Sequence, residues 1–149
     1  MLLCLLDTCR PDNIGLDTYG CVKIFDFGMA KELKEKALVG VDQFNATCKV
    51  GTPRYMAPEV YFGEPYGLPS DVYSFALVLW ELMALEKIFA DHGGGQENHV
   101  ISVYVKKRRP KISRNWPKQI QSLIRSGWSH RAPHRPNIRE VHSGLKGLL

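Results

Sequence analysis

The stretch Asp71-Val72-Tyr73-Ser74-Phe75-Ala76-Leu77-Val78-Leu79-Trp80-Glu81-Leu82-Met83 constrains the fold more than any other part of the chain. Its length and spacing predict a helix over 70–85, with Ser70 as N-cap and Asp71 in the first turn, where the helix dipole favours a carboxylate. Beyond Asp71 it is apolar almost all round. Such a helix cannot sit on a surface; it belongs at the centre of a core, with other elements packed around it. Three amphipathic segments at about 96–107, 117–127 and 136–146 are the expected neighbours, entered through the flexible connector Asp91-His92-Gly93-Gly94-Gly95. Pro110, Pro117, Pro133 and Pro136 punctuate them, and Pro117 and Pro136 suit first helical positions.

The chain ahead of that helix reads differently. Asn13-Ile14-Gly15-Leu16, a turn at Asp17-Thr18-Tyr19-Gly20 and the alternating Cys21-Val22-Lys23-Ile24-Phe25 predict a β-hairpin over 13–27. Residues 28–58 mix charges, Gly and Pro without a period, which predicts one long loop, and loops of that length are usually functional. At 149 residues, 44% apolar and 23% charged, the chain has material for one globular domain and too little for two.

Several classes are disfavoured by the same residues. The net charge of +5 leans weakly toward acidic partners and is ordinarily just a solvated surface. The cysteines Cys4, Cys9, Cys21 and Cys48 have neither metal-like spacing nor the density of a disulfide scaffold, so a reducing cytoplasmic setting is expected, with the nucleus as the alternative. Met1-Leu2-Leu3-Cys4-Leu5-Leu6 is too short for a signal-peptide core or a span, and no other stretch is apolar enough to cross a bilayer.

Three short motifs stand in one order: Asp26-Phe27-Gly28, Gly51-Thr52-Pro53-Arg54-Tyr55-Met56-Ala57-Pro58-Glu59, and Asp71-Val72-Tyr73-Ser74-Phe75. An isolated Asp-Phe-Gly is uninformative. Together with Pro11-Asp12-Asn13 at these spacings, the set resembles the C-terminal lobe of a eukaryotic protein kinase. Trp128 and Arg135-Pro136 resemble the family's closing Trp…Arg-Pro pattern, so the likeness covers nearly the whole chain. Gly51-Thr52-Pro53-Arg54-Tyr55 resembles the Ser/Thr version, in which the threonine hydroxyl bonds near the catalytic aspartate. Asp71–Phe75 and Trp80-Glu81-Leu82 resemble the tyrosine-kinase-like branch of Ser/Thr kinases.

The resemblance implies phosphoryl transfer, whose dense negative charge calls for hard oxygen ligands around Mg²⁺. It implies Asp26 as the metal-binding aspartate and Asn13 as the second magnesium ligand. Paired hairpin strands would let two residues thirteen apart converge. It also implies an activation segment over 26–59 with Thr47 as a phosphorylation site, a buried ion pair between Glu59 and Arg135, and Asp71 bonded to the catalytic loop. Read without the family, Asn13 and Asp26 are turn residues and Asp71 is a helix-start carboxylate. Asn45-Ala46-Thr47 fits a glycosylation pattern that a reducing compartment makes irrelevant. Lys106-Lys107-Arg108-Arg109-Pro110-Lys111 resembles a nuclear-localisation run, but the expected reading is a solvated helix end.

The catalytic loop departs from the family. Counted back from Asn13 without a gap, Thr8 stands where the catalytic aspartate belongs and Arg10 where the lysine belongs. With a one-residue insertion, Asp7 takes the aspartate's place. Neither alignment supplies the loop's His or Arg, and the latter normally pairs with an activation-loop phosphate. A Gly-rich loop, a strand lysine and its partner glutamate are expected of an N-terminal lobe that this sequence does not contain.

The expected fold is mainly α with a small β-hairpin element, a partial kinase C-terminal lobe over 1–149: loop remnant 5–13, activation segment 26–59, helical subdomain 70–149. The expected activity is ATP- and Mg²⁺-dependent transfer to protein Ser/Thr hydroxyls, with this chain truncated and inactive alone. The rival is a pseudokinase fragment that binds proteins. A nucleic-acid-binding domain would rest on residues 106–111 alone. Expected partners are a protein substrate or docking protein and the missing lobe, with neither membrane nor nucleic acid.

Overall fold

The structure is a computed structural model and describes residues 4–5, 9–32, 38–40, 43–44, 53–90 and 95–147. Among the described residues, six short strands come first: β1 (Cys4–Leu5), β2 (Ile14–Leu16), β3 (Val22–Ile24), β4 (Lys31–Glu32), β5 (Leu38–Gly40) and β6 (Gln43–Phe44). They form three separate antiparallel pairs, β1–β4, β2–β3 and β5–β6. Five α-helices follow in the described residues: α1 (Pro58–Phe62), α2 (Leu68–Ala84), α3 (Gly95–Val100), α4 (Lys118–Gly127) and α5 (Ile138–Lys146). The protein is mainly helical with a two-stranded hairpin, the fold class expected from its sequence.

The hairpin lies where the alternation put it, with Ile14 opposite Ile24 and Leu16 opposite Val22. The segment 28–58 is not one long loop. It carries β4, β5 and β6, a 3₁₀ turn at Pro53–Tyr55 and the start of α1. Two-residue strands such as β4 exist only because β1 supplies their hydrogen bonds, and nothing local in the sequence signals that.

Helix α2 contributes eight buried residues, more than any other described helix. It begins earlier than its apolar run. Gly67 is the N-cap, Pro69 occupies the first turn, and the Ser70 hydroxyl donates back to the Gly67 carbonyl at 2.8 Å, so Ser70 is not the cap. Proline needs no N–H partner in a first turn, which is why the helix can start there. The C-terminal end is not enclosed: Leu82 and Leu85 are 66% and 90% exposed.

Helix α4 crosses α2 at Gly127, where an added Cβ would stand 2.7 Å from that of Ala76. The absent side chain sets the approach. Pro117 is the N-cap of α4, and Pro136 precedes the true cap of α5, so each lies outside the position expected of it. Asn137 begins α5 with a capping box: its Oδ1 accepts from the Arg139 and Glu140 amides at 3.0 Å, and its own amide donates to Glu140 Oε2 at 2.7 Å. Helix α3 widens into a π-helical turn over Ile101–Val105, closed by Lys106 N donating to Ile101 O at 2.8 Å. Trp80 anchors the distal side, its indole N–H donating to Lys111 O at 3.0 Å and its ring edge-on to Trp116.

Candidate functional site

The hairpin turn is built by Asp17. Its Oδ1 accepts the amides of Tyr19 and Cys21, both at 2.9 Å, and its Oδ2 faces Lys23 Nζ at 3.3 Å. Gly20 takes the left-handed conformation (φ 78°) that closes the turn. These bonds, the one from the Cys21 amide foremost, hold the Asp17 carboxyl below its usual range. The register then continues one step past β2 and β3, with Phe25 N donating to Asn13 O at 2.8 Å. Asn13, buried at the end of a 3₁₀ turn over Pro11–Asn13, is thereby joined to the residue before the exposed Asp26.

Two local features shape that junction. A Cβ on Gly15 would fall 2.7 Å from Phe25 Cε2, so only glycine lets the Phe25 ring lie across β2. Asp26 itself is left-handed (φ 57°), and its Oδ1 accepts the Gly28 amide at 3.2 Å. A short carboxylate that bonds its own backbone is among the few L-residues that tolerate this region. Backbone strain of this kind concentrates at functional sites. Behind the loop, Cys9 packs against the core and faces Asp71; burial, then the Asp71 charge, pushes its thiol up to about 12.

A second cluster ties the segment before α1 to the body. Glu59 and Arg135 pair in bidentate fashion, Nη1 to Oε1 at 2.5 Å and Nη2 to Oε2 at 2.8 Å. Arg135 also donates to Pro69 O and Ser129 O, each at 2.9 Å. Its guanidinium lies 5.0 Å from the Tyr73 ring, and Arg109 lies 5.4 Å from the same ring. Arg109 donates through Nε and Nη2 to Trp128 O, both at 3.2 Å. Tyr104 hydrogen-bonds Pro53 O at 2.7 Å, and the Ser74 hydroxyl donates to Tyr55 O at 2.7 Å.

A groove of about 330 Å³ opens between the two clusters, lined by Asp12, Tyr55, Glu81, Leu82, Leu85 and Glu86 among others. Tyr55 donates its hydroxyl to Glu81 Oε1 at 2.9 Å, and the same oxygen accepts the Ile88 amide at 2.6 Å. Burial first, and that bond second, raise the Tyr55 hydroxyl well above its ordinary value.

The family pattern described as protein tyrosine and serine/threonine kinase matches residues 8–145. The dual specificity protein kinase shkC of Dictyostelium discoideum is 37% identical over 140 residues. Serine/threonine-protein kinase 12 and serine/threonine-protein kinase CTR1 of Arabidopsis thaliana are 32% and 33% identical over 143 and 140 residues. Each alignment covers 94% of this chain, but 27%, 29% and 16% of those relatives respectively. This chain belongs to the protein kinase family.

Of the kinase motif residues expected to act, the structure pairs Glu59 with Arg135, and it bonds Asn13 O to the amide of Phe25, the residue before Asp26. Asp71 lies near Cys9, one residue before Arg10. Asp7, Thr8, Thr47 and Thr52 lie outside the described residues. Three contributors had no distinguishing sequence signal. Arg109 belongs to a run expected to be a solvated helix end, yet it turns inward to the Tyr73 ring and Trp128. Tyr73 and Glu81 sit in a helix read as plain core, and the fold uses one as a platform for two guanidiniums and the other as the acceptor for Tyr55.

Proposed function

We propose that this kinase-family chain carries the metal-binding and protein-substrate side of an ATP- and Mg²⁺-dependent transfer to Ser/Thr hydroxyls. The observation that supports it best is the backbone hydrogen bond from Phe25 N to Asn13 O, which joins Asn13 to the residue before Asp26 at the ends of paired strands. One carboxylate and one amide oxygen suit Mg²⁺, which usually takes one or two protein carboxylates and fills its octahedron with phosphate and water oxygens. Asp26 and Asn13 would hold the ion, which when bound would neutralise charge on the transferring phosphoryl group. Asp7, or Thr8 in the ungapped alignment, would face the substrate hydroxyl, with Arg10 in the lysine's place and Thr52 beside them. Asp71 would hold the loop from beneath.

The substrate is a protein on this reading, and the groove beside Asp12 supports it. Its lining carries Asp12, Glu81 and Glu86 against one cation, Lys87, an acidic balance that favours a chain with basic side chains near the acceptor. A docking role without transfer is the second reading, favoured by the missing His and Arg of the catalytic loop. One experiment separates them. Purified protein is titrated with Mg²⁺-ATP by calorimetry and assayed for phosphate transfer to Ser/Thr peptides, alongside Asp26→Ala, Asn13→Ala and Asp7→Asn. Transfer that falls by more than about 10²-fold in Asp26→Ala and Asp7→Asn supports the enzyme. Absent binding and absent transfer in the parent protein would leave the docking role.

A further inference from the structure

Residues 98–139 hold eleven of the chain's 20 Lys and Arg and none of its 15 Asp and Glu. The other nine cations share the rest of the chain with all fifteen acids. The modest net charge therefore conceals a basic stretch set against an acidic remainder, and charge segregation of this kind marks contact with anionic partners.

The fold decides which of these cations are available. Arg109 and Arg135 point inward and are occupied by carbonyls, Glu59 and the Tyr73 ring. Lys106, Lys107 and Arg108 are exposed where the π-helical turn ends, with Lys107 in the left-handed region (φ 54°). Because Arg109 is clamped on Trp128 O, this turn lies against the loop that carries the half-buried His130 and the exposed Arg131. Burial first, then Lys107, Arg109 and Arg135, hold His130 below its ordinary pKa, and the one opposing charge acting on it is Glu59, already paired with Arg135. Among the described residues, the charges acting on His130 are mostly positive.

An apolar strip borders these cations. The widened turn keeps Val103 and Tyr104 in the core but leaves Ile101 and Val105 45% and 63% exposed. The single acid of α3 with a described side chain, Glu97, lies about one turn before Ile101, away from Lys106.

We propose that Ile101, Val105, Lys106, Lys107, Arg108 and Arg131 form a docking surface for an acidic peptide segment of a partner protein, one with an aliphatic side chain among its carboxylates. The charges steer and orient such a segment, and the aliphatic contact slows its release. No aromatic side chain in 98–139 is exposed to stack on bases: Tyr104 and Trp128 are buried and Trp116 is half-buried. Two aliphatic side chains are too little to seat a helix in a bilayer, which needs a whole apolar face.

The test is fluorescence anisotropy of two labelled peptides, one alternating Glu with Leu and one with each Leu replaced by Ser, titrated with the purified protein. The Leu peptide is expected to bind the more tightly, and more weakly as salt rises. K106E/K107E/R108E should lower its affinity at least about tenfold and flatten the salt dependence, as expected for rim charges. I101S/V105S should lower it several-fold with the salt slope unchanged. R114E/K118E, at the end of α4 opposite Trp128, should leave binding unaltered. Circular dichroism verifies each fold, and K107E/R131E replaces the triple variant if that one unfolds. Equal binding of the Ser peptide, equal loss in R114E/K118E, or tighter binding of a single-stranded oligonucleotide or phosphatidylserine vesicles would each overturn the proposal.

Discussion

The hairpin that carries Asp26 and the helical body that carries Arg135 are held by opposite means. Every residue of β3 is exposed, and Leu16, Phe25 and Phe27 are more than half exposed. What holds the hairpin is its ladder, the Asp17 turn and the burial of Asn13 at its root. The body has the reverse character. It has an enclosed apolar core, and its buried charges are cross-linked by four hydrogen bonds on a single guanidinium. The difference teaches that Asn13 and Asp26, the proposed metal ligands, sit at the root of an element with little buried apolar surface. Changes there are expected to alter the site while leaving the fold, and changes in the body to do the converse.

The largest effect tests the body. Arg135→Ala leaves the Glu59 carboxylate buried without its partner and should cost about 3–5 kcal/mol in urea unfolding. The double change Glu59→Leu/Arg135→Leu should cost less than the sum of the single ones, because no charge is then stranded. Next, Gly127→Ala drives a methyl against Ala76 and should cost about 1–3 kcal/mol, read from the same unfolding midpoint. A negligible change in either variant would erase the contrast between the regions.

Smaller effects test the hairpin. Gly15→Ala collides with the exposed Phe25 ring, which can swing outward, so stability should change by no more than about 0.5 kcal/mol. On the proposed function, binding of Mg²⁺-ATP should nevertheless weaken, because Phe25, next to Asp26, carries the amide that bonds Asn13 O. A loss as large as that of Gly127→Ala would mean that the hairpin supports the fold after all. The smallest effect concerns acid. The Asp17 carboxyl titrates below its ordinary 3.8 in the folded protein. Its contribution is therefore complete above that value and lost as pH falls through the lower folded one. The amide resonances of Tyr19 and Cys21 should shift together in that window, and Asp17→Asn should abolish the titration while the body's resonances stay put.

Much of this arrangement was legible before any coordinates. The hairpin was visible because its turn chemistry and two-residue alternation are local, and α2 because a run apolar on every side has few other destinations. The start of α2 differs from the expected Ser70 cap because Gly67 caps the helix with no side-chain bond and Pro69 occupies its first turn. Strands β4, β5 and β6 went unread because each is two or three residues long and defined by its partner. Arg109 was indistinguishable from the three cations before it, since a run of like charges does not say which member turns inward.

The sequence by itself determined the family, the order of its motifs and the mainly helical fold, because those depend on residue identity and on periods of two and 3.6 within short windows. Only the tertiary structure decided which charges are spent inside and which face solvent. Arg109 and Arg135 are committed because Tyr73 and the carbonyl oxygens of Trp128, Pro69 and Ser129 are carried to them by packing between α2, α4 and the loop before α5. Lys106, Lys107 and Arg108 remain outside because the π-helical turn ends there. A charge close in sequence to its neighbours acquires its role from groups far away in sequence, and that pairing exists only once the chain is folded.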